Sequence, residues 1–169
     1  GWRYFEAIDV PSLRMEFAIF DTRDLISGLT GNELIELEIE SDSAPGKPLL
    51  INQRIFKIGA VTKSERAQAY VLFTVSPEML NNETNKIFKV FRENSGAAHI
   101  KKILKEHLMS SGKKYSFEPS KGNFNFISPS WRPFDAIAYI TDKIVSEETQ
   151  TAGYTFYENK HGFYLHTID

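Results

Sequence analysis

The apolar residues of this chain change their period at Ser76-Pro77, and that change constrains the fold more than any other feature. Before it they alternate. Leu13, Met15, Phe17 and Ile19 are interleaved with Arg14, Glu16 and Ala18, the period of a strand with one buried face. The segment Leu34 to Ser41 repeats this most cleanly, with Ile35, Leu37 and Ile39 on one side and Glu36, Glu38 and Glu40 on the other. Leu49 to Val61 and Ala69 to Val75 predict two more strands around a charged turn, Lys63-Ser64-Glu65-Arg66. Between these, Asp21 is suited to cap a short helical turn through Leu25 and Ile26, ended by Gly28. Ser43-Ala44-Pro45-Gly46-Lys47-Pro48 reads as a loop, because two prolines and a glycine exclude both ladder and helix.

Beyond Pro77 a polar segment, Glu78 to Lys86, leads into the short apolar stretch Ile87 to Phe91. A helix of about four turns is expected from Ser95 or Gly96, since Ile100, Ile103, Leu104 and Leu108 recur at spacings of three and four opposite Lys101, Lys102 and Lys105. Tyr115 to Ile127 supplies short aromatic strand pieces. A second helix is expected from Pro133, well suited to a first helical position, through Ile137, Ile140 and Ile144. Trp131, Pro133 and Phe134 are its structural anchors, a tryptophan before an amphipathic helix commonly fastening that helix to its sheet. Tyr154 to Asp169 reads as a hairpin of aromatic strands about Asn159-Lys160-His161-Gly162. This order is an α+β plan, with an antiparallel β domain at residues 1–76 and an α+β segment at 77–169.

Composition narrows the partners. A formal charge of -2, from 20 basic and 22 acidic residues, gives no bulk attraction to nucleic acid or an anionic membrane. No apolar run approaches the roughly 20 residues of a membrane helix. The absence of cysteine removes disulfides, thiolate nucleophiles and cysteine-ligated metals, and fits a protein built in a reducing cell interior. The chain opens on Gly1-Trp2 and closes on an expected strand, as a piece of a longer protein would.

The residues name no catalyst, cofactor or metal. No nucleophile elbow surrounds any serine, and no phosphate-binding glycine loop occurs. His99, His107, His161 and His166 lack ligand spacing. Glu106 and His107 are adjacent on a helix and so face apart. Acid pairs such as Glu147 with Glu148, or Asp21 with Asp24, leave open a small carboxylate-dependent hydrolase of cell-wall sugars. Lys101, Lys102, Lys105, Lys113 and Lys114 near Tyr115 and Phe117 imitate a single-strand nucleic-acid groove, but a solvated helix face explains them better. A stand-alone protein-binding module is the other open class.

The order of elements carries more information. The strand Met15 to Phe20 runs into Asp21-Thr22-Arg23-Asp24-Leu25-Ile26, then Thr30-Gly31-Asn32-Glu33 and the strand Leu34 to Glu40. Ile55 to Ile58, Tyr70 to Ser76, and Ile87 to Phe91 before the helix Ala97 to Leu108 continue it, followed by Phe126-Ile127-Ser128-Pro129-Ser130-Trp131-Arg132-Pro133-Phe134-Asp135-Ala136 and the closing hairpin. In this order the chain resembles the baseplate hub subunit of T-even-type contractile-tailed phages, a plan shared by the hub half of type VI secretion spike proteins.

The resemblance implies an antiparallel, tail-tube-like β-barrel followed by a small α+β segment with two helices and a C-terminal hairpin. It implies a non-enzymatic virion protein, assembled in the host cytoplasm, that forms a homotrimeric ring between the central spike and the tail tube and tape-measure proteins. A second barrel follows in that family, so the chain corresponds to about the N-terminal half of a hub subunit. If the face bearing Glu36, Glu38 and Glu40 lines the channel of such a ring, its carboxylates repel DNA.

Overall fold

The computed structural model describes residues 1–40, 46, 48–109 and 112–168. It is a strand-rich α+β fold that divides into two compact units. The first comprises Gly1–Glu6 and Leu13–Pro77, the second Ala7–Ser12 and Glu78–Asp169. Most of the proline-rich loop expected at Ser43 to Pro48 lies outside the described residues.

In the first unit five antiparallel strands form one curled sheet: β1 (Trp2–Phe5), β2 (Arg14–Asp21), β3 (Leu34–Ile39), β4 (Leu49–Lys63) and β5 (Gln68–Val75). Their order is β1-β2-β5-β4-β3. The period-two pattern does what it predicts. Phe17 pairs with Leu72 and Ile19 with Tyr70, so one face of the sheet gathers Met15, Phe17, Ile51, Ile55, Tyr70 and Leu72. Ile35, Leu37 and Ile39 pack against that cluster. Two findings differ from expectation. The sheet has a fifth strand, β1, whose Trp2 to Phe5 pair with Phe17 to Arg14. And no ladder joins β1 to β3 among the described residues, so within this chain the expected barrel is an open half-barrel with two free edges.

The second unit holds α1 (Pro77–Thr84), β6 (Ile87–Phe91), α2 (Gly96–Ile103), β7 (Lys114–Phe117), β8 (Phe126–Trp131), α3 (Pro133–Thr141), β9 (Tyr154–Asn159) and β10 (Gly162–Thr167). Helix α2 runs on into a π-helical turn, Leu104–Leu108. Strands β9 and β10 are an antiparallel hairpin, and β10 also pairs in parallel with β7. Strands β6 and β8 form a separate antiparallel ribbon. The core is one cluster in which Ile100, Ile103, Leu104 and Leu108 meet Ile137, Ile140, Phe163 and Leu165.

The helix expected from Pro133 is shorter than the apolar spacing suggested. It ends at Thr141, and Ile144 reaches the core from the turn that follows. There Ile144 meets the start of α2: a Cβ on Gly96 would lie 2.3 Å from Ile144 Cγ2 and 3.0 Å from Ile140 Cγ2. Gly96→Ala is therefore expected to cost about 1–3 kcal/mol by overpacking. In a double-mutant cycle measured by urea unfolding, Ile144→Ala should be less damaging in the Gly96→Ala background than alone. Simple additivity would refute the steric account.

Helix α1 falls on the segment expected to be merely polar. Its first residue is proline, suited to a helix start, and its polar side chains explain why no apolar stripe announces it. It is held by hydrogen bonds to the ends of other helices. Asn82 Oδ1 accepts from the Phe134 N–H of α3 at 2.8 Å. Asn81 Nδ2 donates to the Leu108 carbonyl, and Asn85, just past the helix, donates to that of His107, both at 2.7 Å. These are the backbone groups that a helix leaves without partners at its termini.

Candidate functional site

Asp21, Asp24, Glu118 and His99 are each engaged in local structure. The oxygens of Asp21 accept from the N–H groups of Arg23 at 2.8 Å and Ile26 at 3.2 Å, ordering the turn that follows β2. Burial pushes its pKa up, but the N–H groups of Arg23, Ile26 and Leu25 outweigh it and hold the carboxyl below its ordinary range. Asp24 accepts from Ser27 Oγ at 2.7 Å and from Gln68 Nε2. Glu118, beside the hairpin, accepts from Ser146 Oγ and from the N–H and hydroxyl of Thr167. His99 is buried, its Nε2 donating to the Phe124 carbonyl at 2.8 Å, and burial holds its pKa below the usual imidazole range. Among the described residues no group of three or more His, Asp or Glu is placed to hold a metal ion.

Glu33 closes the turn before β3. It accepts from the Thr30 hydroxyl at 2.6 Å and from the N–H groups of Thr30, Gly31 and Asn32 at 2.5, 3.0 and 3.1 Å. The Thr30 hydroxyl and amide lead in lowering its pKa from 4.5 to about 2. A depressed folded pKa contributes stability above the unfolded value, lost as pH falls from about 4.5 toward about 2. Glu33→Gln should thus be less stable than the parent at neutral pH, with the gap closing in acid. Urea unfolding at a series of pH values reads it, and a pH-independent gap would contradict it.

The lysines do not form one groove. Lys101 and Lys105 both lie over the Tyr115 ring, at 5.2 and 5.1 Å from its centroid. Lys102 faces Glu106. Lys113 turns inward, between the buried carboxylates of Glu78 and Glu158.

The surfaces that remain are suited to contact. On β3, Leu34, Glu36 and Glu38 point outward while Ile35, Leu37 and Ile39 point to the core, and Glu40 lies exposed just past the strand. Glu36 stands opposite Asn52, and Glu38 opposite Leu50, which is 68% exposed. In the second unit Trp131 ends β8 with its ring 4.9 Å from that of Tyr139 on α3. Pro133 opens α3, and Phe134 is buried 6.2 Å from the Phe156 ring. Phe134 belongs to the core cluster and Trp131 packs against it.

The outer face of the β6–β8 ribbon was not anticipated. Ile87 and Phe91 are buried, while Phe88 and Val90 between them are exposed beside Ile127 and Pro129. The signal lay in the run itself: apolar residues at 87, 88, 90 and 91 occupy both faces of a strand, whereas a half-buried strand needs only one.

No family model and no curated protein matches the chain. Its fold matches solved structures. One is the 43 kDa tail protein of prophage MuSo2 from Shewanella oneidensis, with a TM-score of 0.57 and 7% identity over 98% of this chain and 50% of that one. Another is the c3393 protein of E. coli, a component of the type VI secretion system with structural similarity to the T4 bacteriophage tail proteins gp27 and gp5. There the TM-score is 0.56 and the identity 10%, over 98% of this chain and 48% of the other. The chain spans about half the length of the structures it matches. These two fold neighbours, a phage tail protein and a secretion component likened to tail proteins, agree with the resemblance in the sequence.

Proposed function

We propose that this chain is a structural subunit of a phage tail baseplate hub, forming a homotrimeric ring that connects the tail tube to the central spike. The observation that carries the reading is that 98% of the chain, through both units, follows the fold of a tail protein and of a protein likened to gp27 and gp5. Two further features favour it. Among the described residues the outer edges of β1 and β3 have no strand partner, and open sheet edges call for cover. The apolar face of the β6–β8 ribbon is exposed in the single chain. In the ring, the half-barrels of the copies line a passage, with the spike at one end and the tube and tape-measure proteins at the other. No helix among the described residues is long and apolar enough to cross a membrane. The subunit assembles in the host cytoplasm and resides in the virion.

The ring gives the outer face of β3 two possible neighbours, the passage or the next copy. Lining the passage suits Glu36, Glu38 and Glu40, but Leu34 and Leu50 share that face and are poorly suited to a wetted wall.

The test is the solution mass of the chain, alone and mixed with a trimeric phage spike protein, by light scattering, with electron microscopy of any complex. A stoichiometric complex with three chains in a ring on the spike is expected. A chain that ignores the spike overturns the hub reading and favours a stand-alone protein-binding module that uses the exposed ribbon.

A further inference from the structure

We propose that the cavity between β6 and α2 is a binding site for a phosphomonoester dianion. The proposal goes beyond the ring reading and does not depend on it, since every residue of the site lies in the second unit.

The cavity measures about 450 Å³, and its walls include Lys89, Val90, Phe91 and Arg92 at the end of β6 and His99 and Lys102 on α2. Lys89 alternates with Phe88 along β6, so it turns to the side that α2 covers. There its ammonium lies 5.8 Å from the centre of the Phe91 ring and 3.2 Å from Glu106. Phe91 is buried, 4.6 Å from the Phe126 ring and 5.3 Å from that of His99, so the core fixes this wall in place. His99 donates from Nε2 to the Phe124 carbonyl, and burial holds its pKa low, so it adds no charge at pH 8.

The cations are not balanced. Glu106 is the carboxylate that faces them, 3.2 Å from Lys89 and 3.9 Å from Lys102. Among the described residues Arg92 is in no salt bridge, and Glu93, its neighbour in the chain, is not in the cavity wall. Three cations against one carboxylate leave two positive charges uncompensated. Their mutual repulsion is relieved by a bound anion.

The count selects the ligand. A phosphomonoester presents three acceptor oxygens and carries close to two negative charges above its second pKa of about 6, whereas a single carboxylate offers two oxygens and one charge. The planar fork of Arg92 suits two phosphate oxygens at once, and the lysines serve as point charges. Small-molecule sites occupy about 300–1,000 Å³, so the cavity has room for more than the phosphate group. Val90 and Phe91 give the rest of the molecule an apolar wall.

The test is a titration with phenyl phosphate at pH 8 and fixed low ionic strength, followed by the amide chemical shifts of the chain in heteronuclear NMR. The parent should bind with a Kd of about 1 mM or below, with the largest shifts at the cavity. Arg92→Gln and Lys102→Gln should each weaken binding about tenfold, whereas Glu106→Gln, which removes the competing carboxylate, should tighten it about fivefold. Lys101→Gln is the control, because Lys101 is on the same helix but lies over Tyr115, and it should leave the Kd unchanged. All four residues are exposed, so the fold should persist, and the spectra verify it. Succinate and inorganic phosphate should bind about tenfold more weakly than phenyl phosphate, the one lacking the third oxygen on each carboxylate and the other leaving the apolar wall uncovered. Absence of binding overturns the site, as does a loss in Lys101→Gln equal to that in Arg92→Gln, or weaker binding in Glu106→Gln. Succinate or inorganic phosphate binding as tightly as phenyl phosphate overturns the monoester assignment. None of these results bears on the ring, which the spike experiment tests separately.

Discussion

Replacing Gly162 with alanine is expected to destabilise the second unit by about 3 kcal/mol or more, near the upper end of what single substitutions do. Gly162 has φ 141°, a conformation that side chains avoid, and it pairs with Lys114 across the parallel ladder between β10 and β7. A Cβ there would stand 2.1 Å from the Lys114 carbonyl oxygen and 2.7 Å from its carbon. Both are backbone atoms of a paired strand, so relief requires β7 to move away from β10, and Phe163 and Leu165 of β10 are fully buried. Gly153 provides the control. It also has positive φ, at 105°, but nothing lies within 4 Å of its Cβ position, so Gly153→Ala should cost only about 1–2 kcal/mol of backbone strain. Urea unfolding of the two variants reads the difference. Equal losses would mean that the close approach of β7 to β10 contributes nothing.

Removing the Lys113 ammonium is expected to have an effect of similar size. Its Nζ lies 2.5 Å from Glu78 Oε2 on α1 and also bonds Glu158 Oε1 on β9, and both carboxylates are fully buried. Lys113 thereby ties the polar helix to the hairpin, with its Nζ 5.3 Å from the centre of the Phe163 ring. Lys113→Met should cost about 3–5 kcal/mol, because deleting one partner of a buried ion pair takes the cation away from two carboxylates held in a poor solvent for charge. The cost should shrink when Glu78→Gln and Glu158→Gln accompany it, since neutral amides then replace the two buried charges. A loss in Lys113→Met that the two glutamines leave unchanged would place its origin in packing.

The elements that sequence makes legible are those whose signal is local. Period two over Leu34 to Ile39 and Gln68 to Val75, and spacings of three and four over Ile100 to Leu108, follow from the geometry of one strand or helix, and the structure has those elements there. Helix α1 was illegible because it has no apolar stripe. Its asparagines serve backbone groups that are distant in sequence, Phe134 and Leu108 among them. Strand β1 was missed for a related reason, since the four residues Trp2–Phe5 become a strand through the ladder that β2 offers. Among the surfaces, the glutamate face of β3 was readable from alternation alone, while the apolar face of the ribbon emerged only once β8 was seen to lie beside β6.

The sequence by itself determined the α+β class, the buried face of each long strand and helix, and the resemblance to tail hub proteins, because periodicity and element order are properties of the chain in one dimension. Only the tertiary structure decided that the first sheet stays open, that β10 takes a parallel partner, and that Lys113 sits between two buried acids while its neighbours on α2 face solvent. Each of these depends on which distant segments are brought together, and pairing between distant strands or charges leaves no periodic trace in either partner.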